Sequence, residues 1–515
     1  MQFQAIKQLL IKWIGSILFS LIICSTANAQ SKSYTDVKRF QHKNLGTIME
    51  GDQVKGYFLF YLSNKQKGAT QNYKLEILDT KLNTIASKTI TGNKHLTLKS
   101  AAQNNEDIMI KLYDGKEKII SMYQYTVKGE LKNQEKFKPR SLPVKESTVY
   151  PIEKNGFVDY YSLYYKKRQG YGIRFYPSTE DGLPWTYKSS STADTFEEAT
   201  LLTVNDRILL STITKRKNLT SKDGEQFILG LDIISGEKLF EKPLEDSKYA
   251  LQVINGFKNE ENGNLEITGH YYDKSAKTDK AASKGIFFFT LEESSNTFSR
   301  KYVSWSEDVN KFISSNAKGK LNKTGYVYFH KIIRNNNGKI YAIGEQYQKV
   351  ADGNSVLGTV LSGQPSSNAM SMLVIDDFYV FEFDQDFNLL DVEVIEKIHT
   401  QVPFEAGASF MTPQAMAQDL KNQSGFDYLF TQNEKDQSSF TIGYLINSRK
   451  GAYKTKIYGA GTFDENEFTI KEIDLKTSKS ATSIQVSQAK QAFILISQYL
   501  PNYKRLDFRF AKVSE

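Results

Sequence analysis

The stretch NEENGNLEITGHYYDKSAKTDKAASKGIFFFTLEESSNTFSRKYVSW, from Asn259 to Trp305, decides the fold. It predicts a Gly/Asn turn, a strand over Leu265–Tyr272, a lysine-rich loop, a strand over Gly285–Leu291, an acidic turn and a third strand over Thr297–Trp305. Equivalents of the first strand begin near Gly56, Asp107, Phe157, Arg207, Lys339, Phe440 and Ala492. The first four of these starts are 51, 50 and 50 residues apart. A unit of about fifty residues is the length of a propeller blade, a four-stranded meander.

Inner strands are expected at Leu45–Glu50, His95–Ser100, Ser147–Glu153, Phe196–Thr203, Ala250–Lys258, Tyr326–Arg334, Phe426–Gln432 and Ser483–Val486. Tight turns such as Asn155-Gly156, Asn205-Asp206 and Asn262-Gly263 follow them, in residues that tolerate left-handed backbone. The final unit holds three strands. Its fourth is expected from the N-terminus, around Tyr34–Phe40, which would leave no open sheet edge. The expectation is therefore an all-β chain forming a single closed β-propeller of about eight four-stranded blades, with seven as the nearest variant. The alternative cuts at the Lys-rich segment Lys128–Lys145. It makes residues 30–135 a β-sandwich ahead of a six-bladed propeller.

Thirty Tyr and thirty-two Phe against ten Pro suit such a β-rich core. Residues 1–29 read as a signal peptide: Lys7 and Lys12, an apolar run from Trp13 to Cys24, and Ala27-Asn28-Ala29 before Gln30. That run is too short to span a membrane, and no later segment replaces it. A lipid-modified Cys24 is the rival reading, and the bulky Ile23 before it argues against that. The remaining chain, 30–515, is expected to be exported to the periplasm, the cell surface or beyond. Cys24 is the only cysteine, so disulfides and cysteine-bound metals are excluded after it. Without Lys7 and Lys12 the net charge falls from +9 to +7, a balance that suits anionic partners and does not point to nucleic acid.

Catalytic motifs are missing: there is no G-x-S-x-G elbow, P-loop, G-x-G-x-x-G or H-E-x-x-H. The five histidines lie far apart, and His270 and His330 fall in expected strands, where a packed His is the simpler reading. Asp384-Gln385-Asp386 opens like a calcium loop. Leu389 and Ile395 then occupy the positions that need Gly and Glu, so a hairpin turn is expected. No catalytic residue, metal or cofactor is assigned.

In a meander, loops after the second strand emerge on the same side as the connections between units. Those loops carry Lys166, Lys167 and Arg168; Lys215, Arg216 and Lys217; Lys274, Lys277, Lys280 and Lys284; and Arg449 and Lys450. The opposite turns carry Asp79, Asp232, Asp384 and Asp464 among other carboxylates. Insertions at 306–325, 348–375 and 399–425 fall on the basic side, and Thr412-Pro413 marks a helix start in the last. Long loops on a rigid scaffold commonly carry function. The first functional expectation is a non-enzymatic binding or scaffold protein whose basic face engages an anionic envelope glycan or acidic protein. The alternatives are a polysaccharide hydrolase or lyase with its site at the channel mouth, and a purely structural envelope component.

Two resemblances follow. Ser178-Thr179-Glu180-Asp181-Gly182-Leu183-Pro184-Trp185 resembles a degenerate Asp-box, the hairpin turn of sialidase-type propellers, and implies a turn between outer strands. GEQYQKV (Gly344–Val350) followed by DDFYVFEFD (Asp376–Asp384) resembles an uncharacterised family of exported, propeller-like proteins of Gram-negative bacteria. That resemblance implies a fold and no chemistry.

Overall fold

Along the strand Gly285–Glu292, residues 286–289 are all buried, and alternate side chains enter different cores. Phe287 and Phe289 pack with Leu210 and Ile228, whereas Ile286 and Phe288 pack with Phe329 and Phe381. A strand covered on both faces is apolar throughout, which explains the unbroken IFFF. The computed structural model describes residues 31–513 apart from 41–43, 51–52, 66–69, 139–148, 153–154, 166–167, 190–194, 218–223, 260–261, 277, 279–280, 282, 293–294, 317–319, 322–324, 352–370, 405–412, 423–424, 435–437, 451–452, 465–466, 476–482 and 491. The leader and Cys24 lie outside the described residues.

The described strands form successive antiparallel meanders. Seven cover residues 45–93, 96–137, 149–188, 196–243, 249–304, 326–395 and 428–474, and an eighth combines 483–512 with Ser31–Tyr34. Within each, the strands are lettered a to d. A parallel bridge, Gln169 to Phe196, joins the third and fourth into one sheet. Eight clusters of buried side chains each lie between two consecutive meanders. One of them joins the eighth to the first, packing Tyr57, Leu59 and Leu78 against Leu495, Leu506 and Phe508. The fold is all-β and propeller-like.

Ser31–Tyr34 pairs with Arg505–Lys512, so the N-terminal strand lies earlier than Tyr34–Phe40. The chain turns at Asp36 (φ 61°), and Val37 and Phe40 enter the core shared by the first and eighth meanders. This pairing ties residues 31–34 to the C-terminal sheet, which a self-contained sandwich over 30–135 would not do.

Two local devices recur. Five c–d turns place one residue in left-handed backbone: Leu82, Gly129, Gly236, Asn296 and Phe387. Asp79 Oδ1 accepts from the backbone N–H of Lys81 and Asn83, both at 2.8 Å; Asp384 Oδ1 accepts from those of Asp386 and Asn388, at 2.9 and 2.8 Å. These acidic turns are hairpins capped by their own carboxylates. The a strands carry bulges that leave Lys99, Leu202, Ile254, His330 and Leu429 out of register. A bulge re-aims the side chain it frees.

The insertion expected over 348–375 is narrower than that. Strands Ile340–Ala351 and Ser371–Phe383 stay paired out to Ala351 and Ser371, leaving only 352–370 between them. Thr400–Pro403 adds to the same hairpin, and helix α1 (Pro413–Asn422) buries Met416, Ala417 and Leu420 against Tyr347, Leu373 and Ile375. In the segment 306–325, Val309 and Leu321 join the Trp305 core. Among the described residues no helix is long and apolar enough to cross a membrane.

Candidate functional site

Of the basic residues expected at the site, Lys166, Lys167, Lys277 and Lys280 lie outside the described residues. Arg168 starts a c strand, and Arg449 and Lys450 end a b strand. Lys215 Nζ donates to Glu241 Oε1 at 2.7 Å and lies over the Phe227 ring; Arg216 Nη1 donates to Glu198 Oε2 at 2.9 Å. Lys217 is exposed. Lys284 Nζ reaches Asp273 Oδ1 at 3.0 Å. Asp114, Glu117, Asp246, Asp273 and Asp308 occupy the same loops and connections as the lysines. The two signs are therefore less sorted than the sequence suggests, because side-chain pairing is invisible to loop counting.

Lys274 is the expected residue that lines an accessible feature. An open cleft of about 530 Å³ is walled by Lys242, Pro243, Glu245, Asp246, Ser247, Lys274 and Arg300, where the fourth meander passes into the fifth. Asp246 organises it. Its carboxylate caps the connection by accepting from the Lys248 and Tyr249 N–H groups, and also accepts from Tyr302 Oη at 2.7 Å and Arg300 Nη1 at 2.8 Å. Although partial burial opposes ionisation, these donors hold the Asp246 pKa below the usual carboxylate value. Lys274 Nζ donates to the Asp246 carbonyl at 2.6 Å and Lys242 Nζ to the Asn296 carbonyl at 2.5 Å. An ammonium has three N–H donors, so each lysine is anchored and still able to bind an anion.

A second constellation is fully enclosed between the sixth and seventh meanders. Lys397 Nζ lies 3.2 Å from Glu345 Oε1 and 2.8 Å from Asp427 Oδ2; the exposures of these three side chains are 0%, 0% and 2%. The bulge at His330 turns its ring inward, where Nε2 lies 3.2 Å from Glu345 Oε2 and the ring stacks on Tyr428 at 4.6 Å. Burial, with help from Lys421 and Lys397, pushes the His330 pKa well down, so the imidazole is neutral and donates through Nε2. Burial raises the Glu345 pKa and carries that of Asp427 up to about 6 despite Lys397. Burial also opposes the Lys397 charge, but the two carboxylates outweigh it and raise its pKa. A polymer cannot touch groups with no exposed surface, so this cluster is not a channel-mouth site. Sequence reasoning passed over it; the available signal was a glutamate inside the apolar strand KIYAIGEQY.

Fold and site define an all-β, propeller-like protein with a cation-lined surface cleft and a charge cluster inside its wall. The chain belongs to a family of unknown function (DUF6770), whose profile matches residues 10–514. No curated protein matches it. Similar solved structures include prolyl oligopeptidase B from Galerina marginata (8% identity, TM-score 0.41, 92% of this chain and 56% of that one), so the chain spans little more than half of that enzyme. Others are the WD40 domain of SCAP from fission yeast (10%, TM-score 0.38, 94% and 95%) and the β-propeller domain of the Trilobed protease from Pyrococcus furiosus (8%, TM-score 0.38, 87% and 98%). At such scores the fold assignment rests on the strand pairing and not on these neighbours.

Proposed function

We propose that this is an exported, non-enzymatic binding protein, a closed ring of eight blades, that engages an anionic glycan or acidic protein surface through the Lys242/Lys274/Arg300 cleft. Export follows from the leader-like first 29 residues. Ring closure is supported by the core that the eighth meander shares with the first, built as the other seven are. The observation that carries the binding reading is the cleft itself: three cations face two carboxylates around a space large enough for a sugar acid. Arg300 is engaged by Asp246, which leaves Lys242 and Lys274 as the groups that recognise the anion.

Heparin, a sulfated uronic-acid polymer, is the probe. Its affinity for the protein falls as salt rises from about 50 to 300 mM, because the attraction is screened. The double variant Lys242→Glu/Lys274→Glu binds about tenfold or more weakly, a loss of at least ~1.4 kcal/mol. Lys116→Glu, at an exposed site on another meander, leaves affinity unchanged. Equal binding by the double variant and the parent would sink the reading.

A further inference from the structure

Three charged side chains from three separate elements meet in the wall between the sixth and seventh meanders. Glu345 comes from strand b, Lys397 from the connection after Ile395, and Asp427 from the entry to the seventh meander. We propose that Lys397 and Asp427 become joined by an intramolecular amide bond, with Glu345 as the catalytic carboxylate that carries the protons.

The geometry supplies each requirement. Lys397 Nζ is in contact with the Asp427 carboxylate at 2.8 Å, so amine and acid are already a reacting pair and no encounter has to be arranged. Glu345 is held by its other oxygen: Oε2 accepts from His330 Nε2 at 3.2 Å and from the Tyr428 N–H at 3.3 Å. Oε1 accepts no well-aligned hydrogen bond among the described residues and lies 3.2 Å from Lys397 Nζ. The surroundings are aromatic, with Lys397 over the Phe378 ring at 5.5 Å and the His330–Tyr428 stack behind Glu345. Water is excluded, and water is the product that would otherwise drive the reaction backwards.

Burial also supplies the driving force. Burial penalises the Asp427 charge more than Lys397 compensates, although at Lys397 itself the two carboxylates outweigh burial. Condensation converts both into one neutral amide. In the step, Glu345 Oε1 takes a proton from the Lys397 ammonium and passes it to the Asp427 carboxylate. The freed amine attacks Asp427 Cγ. As the tetrahedral intermediate collapses, a second nitrogen proton travels through Glu345 to the departing hydroxyl, which leaves as water. One Cγ–N bond forms, one Cγ–O bond breaks, and Glu345 ends in its starting state; no oxidant or reductant is involved. The raised pKa of Asp427 favours the protonated acid that the attack needs.

The bond would close a loop that contains Thr400–Pro403 and helix α1, clamping the largest decoration of the sixth meander to the seventh. A chain without cysteine after Cys24 has no disulfide for that purpose. The test needs no variant to begin with. The purified full chain is digested with trypsin and read by peptide mass spectrometry. The expected result is an uncleaved Lys397 in a branched species joined to the Asp427 peptide, lighter than the sum of the two by one water. Free Lys397 and Asp427 peptides at full mass overturn the proposal. Glu345→Gln is expected to give the two peptides free, while circular dichroism shows the parent's β signal. A link that persists in E345Q overturns the role of Glu345, and Asp427→Ala, which cannot form the bond, sets the unlinked reference.

Discussion

At the scale of single residues, the buried polar groups make the sharpest predictions. His270 is packed among Tyr272, Trp305 and Phe329, and its Nε2 has no hydrogen-bond partner among the described residues. Burial pushes its pKa down from 6.5 to about 4. The unfolded chain therefore binds a proton that the folded chain refuses. The stability contributed by the neutral ring is complete above pH 6.5 and is lost as pH falls towards 4, by up to about 3 kcal/mol. In urea titrations at pH 7 and pH 4.5, His270→Leu should flatten this decline; an unchanged slope would show that the acid sensitivity lies elsewhere. Lys111 Nζ and Asp159, 2.6 Å apart with exposures of 0% and 1%, couple the second meander to the third. Lys111→Met strands a buried carboxylate and should lower stability by about 3–5 kcal/mol, whereas Lys111→Met/Asp159→Leu should recover most of it. Such pairings could not be read beforehand. Lys111 sits in DIMIKLY and Asp159 in FVDYYSLYY, and only the sheet-to-sheet stacking brings them together. The Glu345–Lys397–Asp427 cluster was illegible for the same reason.

At the scale of elements, the turns tell most about how the sheets are joined. Leu82 and Phe387 hold the same place in their c–d hairpins, at φ 62° and 59°, and both are buried in the core shared with the preceding meander. Phe387 lies face to face with Phe288 at 4.4 Å. Lysines of the outer strands clasp the next turn along: Lys32 donates to the Leu82 carbonyl, Lys132 to that of Ser178, Lys242 to that of Asn296, and Lys301 to Asn388 Oδ1. Phe387→Ala should therefore remove about 3–5 kcal/mol of stability. Phe387→Gly, although smaller, should remove somewhat less, because glycine accepts left-handed backbone without penalty. Chemical denaturation of the two variants checks the order, and a reversal would mean that this backbone is unstrained. The acidic hairpins were visible in the sequence because Asp and Asn at fixed offsets act locally. The outer strand Ser31–Tyr34 was misplaced because it is short, polar and half exposed. The apolar Val37 and Phe40 advertised themselves instead, and they are core without being part of the strand.

At the scale of the molecule, stability is spread over interfaces between like sheets, so the join between the two ends of the chain should count as one of them. Ser33 faces Asp507 across that join, its Oγ donating to Asp507 Oδ1 at 2.7 Å. Ser33→Cys/Asp507→Cys, in a chain otherwise without cysteine after Cys24, should form a disulfide that raises the thermal midpoint under oxidising conditions only. In the loop-entropy picture so long a loop corresponds to about 6 kcal/mol. Identical midpoints with and without reductant would mean that the join opens no earlier than the rest. The repeat spacing revealed the succession of like antiparallel sheets in advance, since fifty-residue periodicity is a property of the chain alone. The cleft and its occupancy by internal ion pairs were not visible, because they depend on which loops come to lie side by side.

Pairing the first described strand with the last also has a consequence for biosynthesis. Residues 31–34 leave the ribosome hundreds of codons before their partner at 505–512 exists, so the nascent polypeptide cannot complete its last sheet while it is being made. Earlier meanders can form as they emerge, but the final sheet waits for residues 505–512. Such a chain keeps its last sheet incomplete until late, which exposes it to proteases if elongation stalls.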